Sequence, residues 1–219
     1  QKITFIINPI SGGISKKSLP DIIERHLNHQ LFESEILFTQ KADDTRLLTL
    51  KSIEKSSDII VAAGGDGTIN QVAKCLINTP ISLGIIPQGS GNGFARYLKI
   101  PLTAGQAIDV LNHRKSKTID TAIANEHFFV NVSGVGFDAH VAAKFANAPK
   151  RGFWSYAKIT VKEFSKYQLQ NYHLEIDGRT FNKRAFLITF SNGDQYGNNA
   201  FIAPGADMQD GLLDIAILK

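Results

Sequence analysis

The sequence predicts an α/β domain built on a doubly wound, mainly parallel sheet, followed by a mostly antiparallel β-sandwich domain. Three observations carry this expectation. Over the first half, short apolar β-branched runs alternate with helical stretches roughly every 25 to 30 residues. Each of these runs ends in a loop rich in glycine or hydroxyl residues. After a charged connector at 113–117 (His-Arg-Lys-Ser-Lys) the hydrophobic period changes to two. The domains are placed at 1–116 and 117–219.

Taken in order, residues 2–7 (KITFII) form a first central strand that ends in Asn8-Pro9-Ile10-Ser11-Gly12-Gly13, a turn rich in N–H donors. Ser18 and Pro20 open a helix with Ile22, Ile23 and Leu27 on its apolar face. A short strand at 35–38 closes on Thr39. Asp43 and Asp44 start a helix to Lys55, with Leu47, Leu48, Leu50 and Ile53 expected inside. The run 59–63 is a buried parallel strand leading into Gly64-Gly65-Asp66-Gly67, with Thr68 or Asp66 able to cap the next helix. Cys75 is expected to be buried in that helix. A strand at 81–86 leads into Pro87-Gln88-Gly89-Ser90-Gly91-Asn92-Gly93. Right-handed crossovers bring all these strand ends to one edge of the sheet.

In the second half, 118–124 and 127–133 read as a hairpin around Asn125-Glu126, and 172–177 with 180–191 as another around Asp177-Gly178. Residues 138–146 and 153–167 read as helices, and 212–218 as a last strand. That strand is expected to leave an uncovered edge, so the second domain is expected to be incomplete.

Composition narrows the class. With 43% hydrophobic and 20% charged residues, the chain reads as an ordinary globular protein. Its net charge of +4 and pI near 9.1 suit a phosphate ligand or an anionic membrane surface. One cysteine excludes a disulfide framework and a CxxC metal site, and fits a reducing compartment. No apolar run is long enough to span a bilayer. The connector at 113–117 reads as a solvated link rather than a nucleic-acid patch.

Three glycines within Gly64-Gly65-Asp66-Gly67 allow close backbone approach and positive φ, and the helix start adds an anion-binding N-terminus. A tight turn that merely uses glycine is the plainer reading of any one such loop. The convergence of four loops is what points to a phosphate site. There is no GxxxxGK[ST] motif, and Gly89-Ser90-Gly91-Asn92-Gly93-Phe94 has Phe where a dinucleotide fingerprint needs its third glycine. What remains is a nucleoside triphosphate held between glycine loops, with a carboxylate for Mg²⁺.

Five segments, NPISGG at 8–13, GGDGTIN at 64–70, GIIPQGSGNGFAR at 84–96, FVNVSGVGFDAHV at 129–141 and APGADMQDGLLD at 203–214, together resemble bacterial lipid kinases of the diacylglycerol kinase catalytic family. Sphingosine and ceramide kinases are relatives, and similar glycine–aspartate loops occur in NAD kinases and phosphofructokinases. The resemblance implies an NAD kinase-like or phosphofructokinase-like first domain and transfer of the γ-phosphate of ATP to a lipid hydroxyl. Diacylglycerol, giving phosphatidic acid, is the first acceptor and a sphingoid base the second. An NAD kinase-like metabolite kinase and a non-catalytic nucleotide-binding module are the rival readings.

It further implies that Asn8, Ser11, Gly12, Thr39, Gly64, Gly65, Asp66, Gly67, Thr68, Asn70, Gly89, Ser90, Gly91 and Asn92 line the ATP site. Asp66 would act near the phosphates through Mg²⁺, as a surface carboxylate in its loop. The family loop usually reads Gly-Thr-Gly-Asn-Asp, and this chain departs from it at Gly93. Asp207, Asp210 and Leu212 would hold a structural Mg²⁺, the alternative being a plain turn into a strand. The family's general base is expected beyond Lys219. A cytoplasmic protein, peripheral at the inner membrane face, is implied, with a homodimer left open.

Other residues read both ways. His140 suits packing or substrate. Phe145, Phe153, Trp154 and Tyr156 suit a helix core or a lip near lipid. Lys150, Arg151, Lys158 and Lys162 beside them suit an anionic bilayer.

Overall fold

A computed structural model describes residues 1–13, 17–41, 43–146 and 153–219. Lys150 and Arg151 lie outside the described residues, as does the side chain of Phe153. Strands β1 (Lys2–Ile7), β2 (Glu33–Phe38), β3 (Ile59–Gly64) and β4 (Ser82–Pro87) form a parallel sheet in the order β2-β1-β3-β4. Helices α1 (Leu19–His26), α2 (Asp44–Glu54) and α3 (Asp66–Leu76) are the crossovers. Helices α4 (Gly93–Tyr97) and α5 (Ala104–Asn112) follow β4.

The period-two alternation of strand residues builds two cores, one on each face of the sheet. Ile3, Phe5, Ile7, Val61, Ala63 and Ile86 face α1 and α5, packing on Leu19, Ile23, Leu27, Ala107 and Ile108. Ile6, Ile60, Ala62 and Ile85 face the other way, onto Ile69, Val72, Ala73 and Leu76 of α3 and Phe94 of α4. The crossovers therefore change faces between β1 and β3, and the loops leaving those two strands part there.

Helix α2 presents only part of the expected apolar face: Leu48 and Ile53 pack against the core around α3. Its buried residues are Thr45, Thr49 and Ser52, while Leu47 is exposed. Small hydroxyl residues let the helix lie close to its neighbours, and two satisfy themselves within it: Thr49 Oγ1 donates to the Thr45 carbonyl (2.6 Å) and Ser52 Oγ to that of Leu48 (2.8 Å). Cys75 is only half-buried. Neither Asp66 nor Thr68 caps α3; Gly65 occupies the cap position with no side-chain bond.

Beyond residue 117 the pairing is antiparallel throughout the described strands. β5 (Ala122–Ala124) pairs with β6 (His127–Phe129), β8 (Gln170–Ile176) with β9 (Arg179–Ala185), and β7 (Val132–Gly136), β10 (Leu187–Ser191) and β11 (Asp214–Leu218) form a sheet ordered β11-β10-β7. Two strands expected to be continuous are broken. Between β6 and β7, the Asn131 carbonyl turns to the amides of Asn192 and Gly193. Between β9 and β10, Phe186 exchanges bonds with Phe137 and Leu218, so the chain changes sheets there.

Helices α6 (Phe137–Ala146) and α7 (Phe153–Phe164) pack with this part. Phe137, Tyr167 and Phe186 form an aromatic cluster with ring centroids 4.5–5.5 Å apart. His140 is part of the packing: its Nε2 lies 2.7 Å from Glu163 Oε2 and its ring leans on Tyr167. Among the described residues no helix is long and apolar enough to cross a membrane.

Candidate active site

All four parallel strands end on the same edge, where the loops at 8–13, 39, 64–68 and 87–93 meet. Backbone bonds fix their heights. The Asn8 amide donates to the Ala63 carbonyl (3.0 Å), that of Thr39 to Ile7 (3.0 Å), and that of Gln88 to Gly64 (2.7 Å). Asn8 Nδ2 donates to Thr68 Oγ1 (3.1 Å), tying the first loop to α3, and Ser11 Oγ donates to the Asn8 carbonyl (3.1 Å).

The glycines serve close approach. A Cβ on Gly12 would stand 2.4 Å from the Gln88 carbonyl oxygen, and one on Gly89 would stand 2.5 Å from the Gly65 Cα. A Cβ on Gly64 would strike Thr68. Among the described glycines of the loops at 8–13, 64–68 and 87–93, only Gly12 has positive φ (65°); Gly64, Gly65 and Gly67 all have ordinary backbone angles, against expectation. Gly67 differs from the others, because nothing lies within 4 Å of its would-be Cβ. The first turn of α3 is thus open beside Gly67, and the unpaired amides of a helix start lie on the same turn.

Asp66 sits at this start, and it is largely sequestered rather than a surface carboxylate. Its Oδ1 accepts the Phe94 amide at the head of α4 (3.2 Å). Burial raises its pKa above the ordinary aspartate value, only partly offset by surrounding amides. Its Oδ2 looks toward Gly91, where a Cβ would come within 3.5 Å.

Two asparagines predicted to meet the nucleotide are occupied otherwise. Asn92, in the left-handed region at φ 52°, accepts the Gly89 amide (2.8 Å) and donates to the Gly89 carbonyl (3.0 Å), closing its own loop. Asn70 donates to the Phe128 carbonyl (3.0 Å) and accepts the Val130 amide (3.2 Å), clamping α3 to β6 and the residue that follows it. Thr39 is buried at the end of β2, and Ser90 is exposed with its carbonyl bonded by Asn198 Nδ2 (2.9 Å).

A second segment, 194–200, closes over this loop. Asn198 donates its amide to the Gly91 carbonyl (3.2 Å), and Arg96 Nε donates to the same oxygen (3.1 Å). Tyr196 reaches on to donate its hydroxyl to Asp138 Oδ2 (2.9 Å) at the start of α6. Burial raises the Asp138 pKa, and burial with the Asp138 charge raises that of Tyr196. Gly134 makes room, since a Cβ there would meet Asp138 Oδ2 at 2.6 Å. The motif reading missed Tyr196, in the run NGDQYGNN that follows the expected strand, and gave no role to Arg96 at the end of the segment 84–96.

The turn at 207–212 is held by its own carboxylates. Asp207 Oδ1 accepts the Gln209 amide (3.0 Å), Asp210 Oδ1 the Leu212 amide (2.9 Å), and Asp120 Oδ2 the Gly211 amide (2.7 Å). Met208 is fully buried in the core around α3 and α4. Among the described residues, no three His, Cys, Asp or Glu side chains gather as a metal cluster.

The family model for the diacylglycerol kinase catalytic domain matches residues 2–124, and that for the YegS C-terminal NAD kinase beta sandwich-like domain matches 131–219. A diacylglycerol kinase of Mycobacterium tuberculosis is 32% identical over 228 residues, covering all of this chain and 73% of that protein. An uncharacterized protein of Synechocystis is 32% identical over 229 residues; this chain spans about half of it (52%). A crystal structure of a diacylglycerol kinase from Bacillus anthracis superposes with a TM-score of 0.76 at 27% identity, covering all of this chain and 73% of that one. On this evidence the chain belongs to the diacylglycerol kinase catalytic-domain family.

Proposed function

We propose that this chain binds ATP in the glycine-loop cleft and serves transfer of its γ-phosphate to the hydroxyl of a membrane lipid, with diacylglycerol as the acceptor and phosphatidic acid as the product. The carrying observation is the open space at Gly67, at the mouth of α3, beside the sequestered carboxylate of Asp66. Triphosphate there would meet backbone N–H groups and a helix N-terminus rather than lysines.

The residues fit a magnesium ion at Asp66, whose Oδ2 borders the space that a Cβ at Gly91 would fill. Mg²⁺ held there would neutralise charge on the phosphates. Its carboxylate partner groups come from this chain: α4's amide holds Oδ1, leaving Oδ2 toward the cleft. Asp138 and Tyr196 form a polar end to the same cleft, suited to orient an acceptor hydroxyl. The division of labour follows the two parts, with nucleotide on 1–116 and acceptor on 117–219. Location at the inner membrane face belongs to the same proposal.

The test is transfer of label from γ-labelled ATP, with the full chain, to diacylglycerol, a sphingoid base and NAD in parallel. Label in phosphatidic acid supports the reading. Label in NAD alone overturns it.

A further inference from the structure

A second cleft opens beside α4, where the connector into α5 meets the segment 194–201. It encloses about 440 Å³, within the range of small-ligand sites. None of the residues that line it belongs to the loops at 8–13, 39, 64–68 and 87–93. Arg96 and Lys99 border it from the α4 side, and Asp194 and Gln195 from the other segment. Opposite charges thus share one space, yet among the described residues no ion pair joins Asp194 to Arg96 or Lys99. The acceptors are unmet as well. Asp194 Oδ1 and Gln195 Oε1 are buried without a hydrogen-bond partner, and Gln195 is only 4% exposed. A buried acceptor left in this way destabilises the fold unless another molecule supplies the donor. Apolar surface completes the walls, with Phe201 53% exposed and Leu102 40%.

We propose that this cleft is a second binding site, for a nucleoside monophosphate. The phosphate meets Arg96 and Lys99, the ribose hydroxyls donate to Asp194 and Gln195, and the base lies on Phe201 beside Leu102. Each part of the ligand answers a separate observation. A simple anion would leave the carboxylate and the amide oxygen unmet, and a simple amine would leave the two cations so. The exposed ring of Phe201 adds the preference for a planar base over a plain phosphorylated polyol. Arg96 has donors to spare: of the five N–H groups of a guanidinium, one meets the Gly91 carbonyl (3.1 Å) and one Asn198 Oδ1 (3.3 Å). Through these bonds a ligand in the cleft would bear on the loop at 89–93 from its outer side. The site itself stands whether or not the glycine loops hold ATP.

The test is calorimetric titration of the full chain with adenosine monophosphate in the Gly67→Leu background, where the room at the start of α3 is filled. Saturable binding at a single site is expected. Lys99→Ala removes a charged partner of the phosphate, and Phe201→Ala removes the stacking ring. Each, added to that background, should weaken binding about tenfold. Melting temperatures should stay unchanged, because both side chains are exposed. Glycerol 3-phosphate keeps the phosphate and the hydroxyls without a base, and should bind about tenfold more weakly than the nucleotide. Adenosine monophosphate that fails to bind, or binds regardless of both substitutions, overturns the inference. So does glycerol 3-phosphate that binds as tightly as the nucleotide. ATP–Mg²⁺ binding to the wild-type chain separates the two proposals. Its absence, with the site that depends on Lys99 and Phe201 intact, defeats the kinase reading alone, and the converse defeats this one alone.

Discussion

Asp66 Oδ1 accepts the backbone amide of Phe94 at 3.2 Å, so the carboxylate from the loop after β3 holds the head of the helix that follows β4. One group both joins two of the glycine loops and keeps its other oxygen toward Gly91.

Asp66→Asn should preserve the fold, because the amide oxygen can still accept from Phe94. Removing the charge should lower phosphoryl transfer by about 10²–10³-fold, the scale of losing one preorganised electrostatic group. Stability gives an independent readout. Burial raises the Asp66 pKa, so the folded state holds the proton more tightly than the unfolded chain. Stability from this group is present below the ordinary aspartate range and is lost as pH rises through the raised folded value. Denaturation at several pH values should therefore show a flatter profile for the variant across that window. Full activity in Asp66→Asn would remove this carboxylate from the reaction.

Gly67 and Gly89 should respond in opposite ways. A side chain on Gly89 meets the Gly65 Cα at 2.5 Å, so Gly89→Ala must push two loops apart and should cost about 1–3 kcal/mol of stability. Gly67 faces empty space, so Gly67→Leu should leave the melting temperature close to that of wild type while blocking the room for phosphate. Calorimetric titration with ATP–Mg²⁺ should show lost affinity in a protein that melts normally. Unchanged affinity in Gly67→Leu would move the phosphates elsewhere.

Asn70→Ala removes both bonds that clamp α3 to Phe128 and Val130. Leaving a part-buried carbonyl and amide without partners should cost about 1–3 kcal/mol. For a chain of this size each kcal/mol shifts the melting temperature by about 2–4 °C. A stable variant that only loses ATP affinity would show that Asn70 serves the nucleotide instead.

The parallel sheet was legible because both of its faces are covered, which leaves continuous runs such as 2–7 and 59–63. Its loops were legible for the same reason, since each follows such a run. Helix α2 showed only part of its packing face: Leu48 and Ile53 pack as their spacing suggests, whereas the buried Thr45, Thr49 and Ser52 carry no apolar signal and the apolar Leu47 is exposed. The breaks at Asn131 and Phe186 were invisible locally, being set by partners 61 and 32 residues away, Asn192 and Leu218. Glycine spacing marked the close approach of loops, but which glycine faces free space emerged only from the folded neighbours of Gly67 and Gly89. Asp138 and Tyr196 are 58 residues apart, and no motif links them.

That pair supports a final prediction. Asp138 is raised by burial, and the bond donated by Tyr196 acts the other way, favouring the ionised form. Tyr196→Phe removes the donor and keeps the ring, so the Asp138 pKa should climb further. If ionised Asp138 orients the acceptor hydroxyl, the acid limb of the pH profile of kcat/KM for the lipid should move to higher pH in Tyr196→Phe. Affinity for ATP–Mg²⁺ should hold, since the hydroxyl bonds Asp138 and the segment's grip on Gly91 comes from the Asn198 amide. Loss at pH values below the shifted limb should therefore recover as pH is raised. A Tyr196→Phe enzyme that is slower by the same factor at every pH would mean that Tyr196 only shapes the cleft and that Asp138 carries no titrating role in transfer.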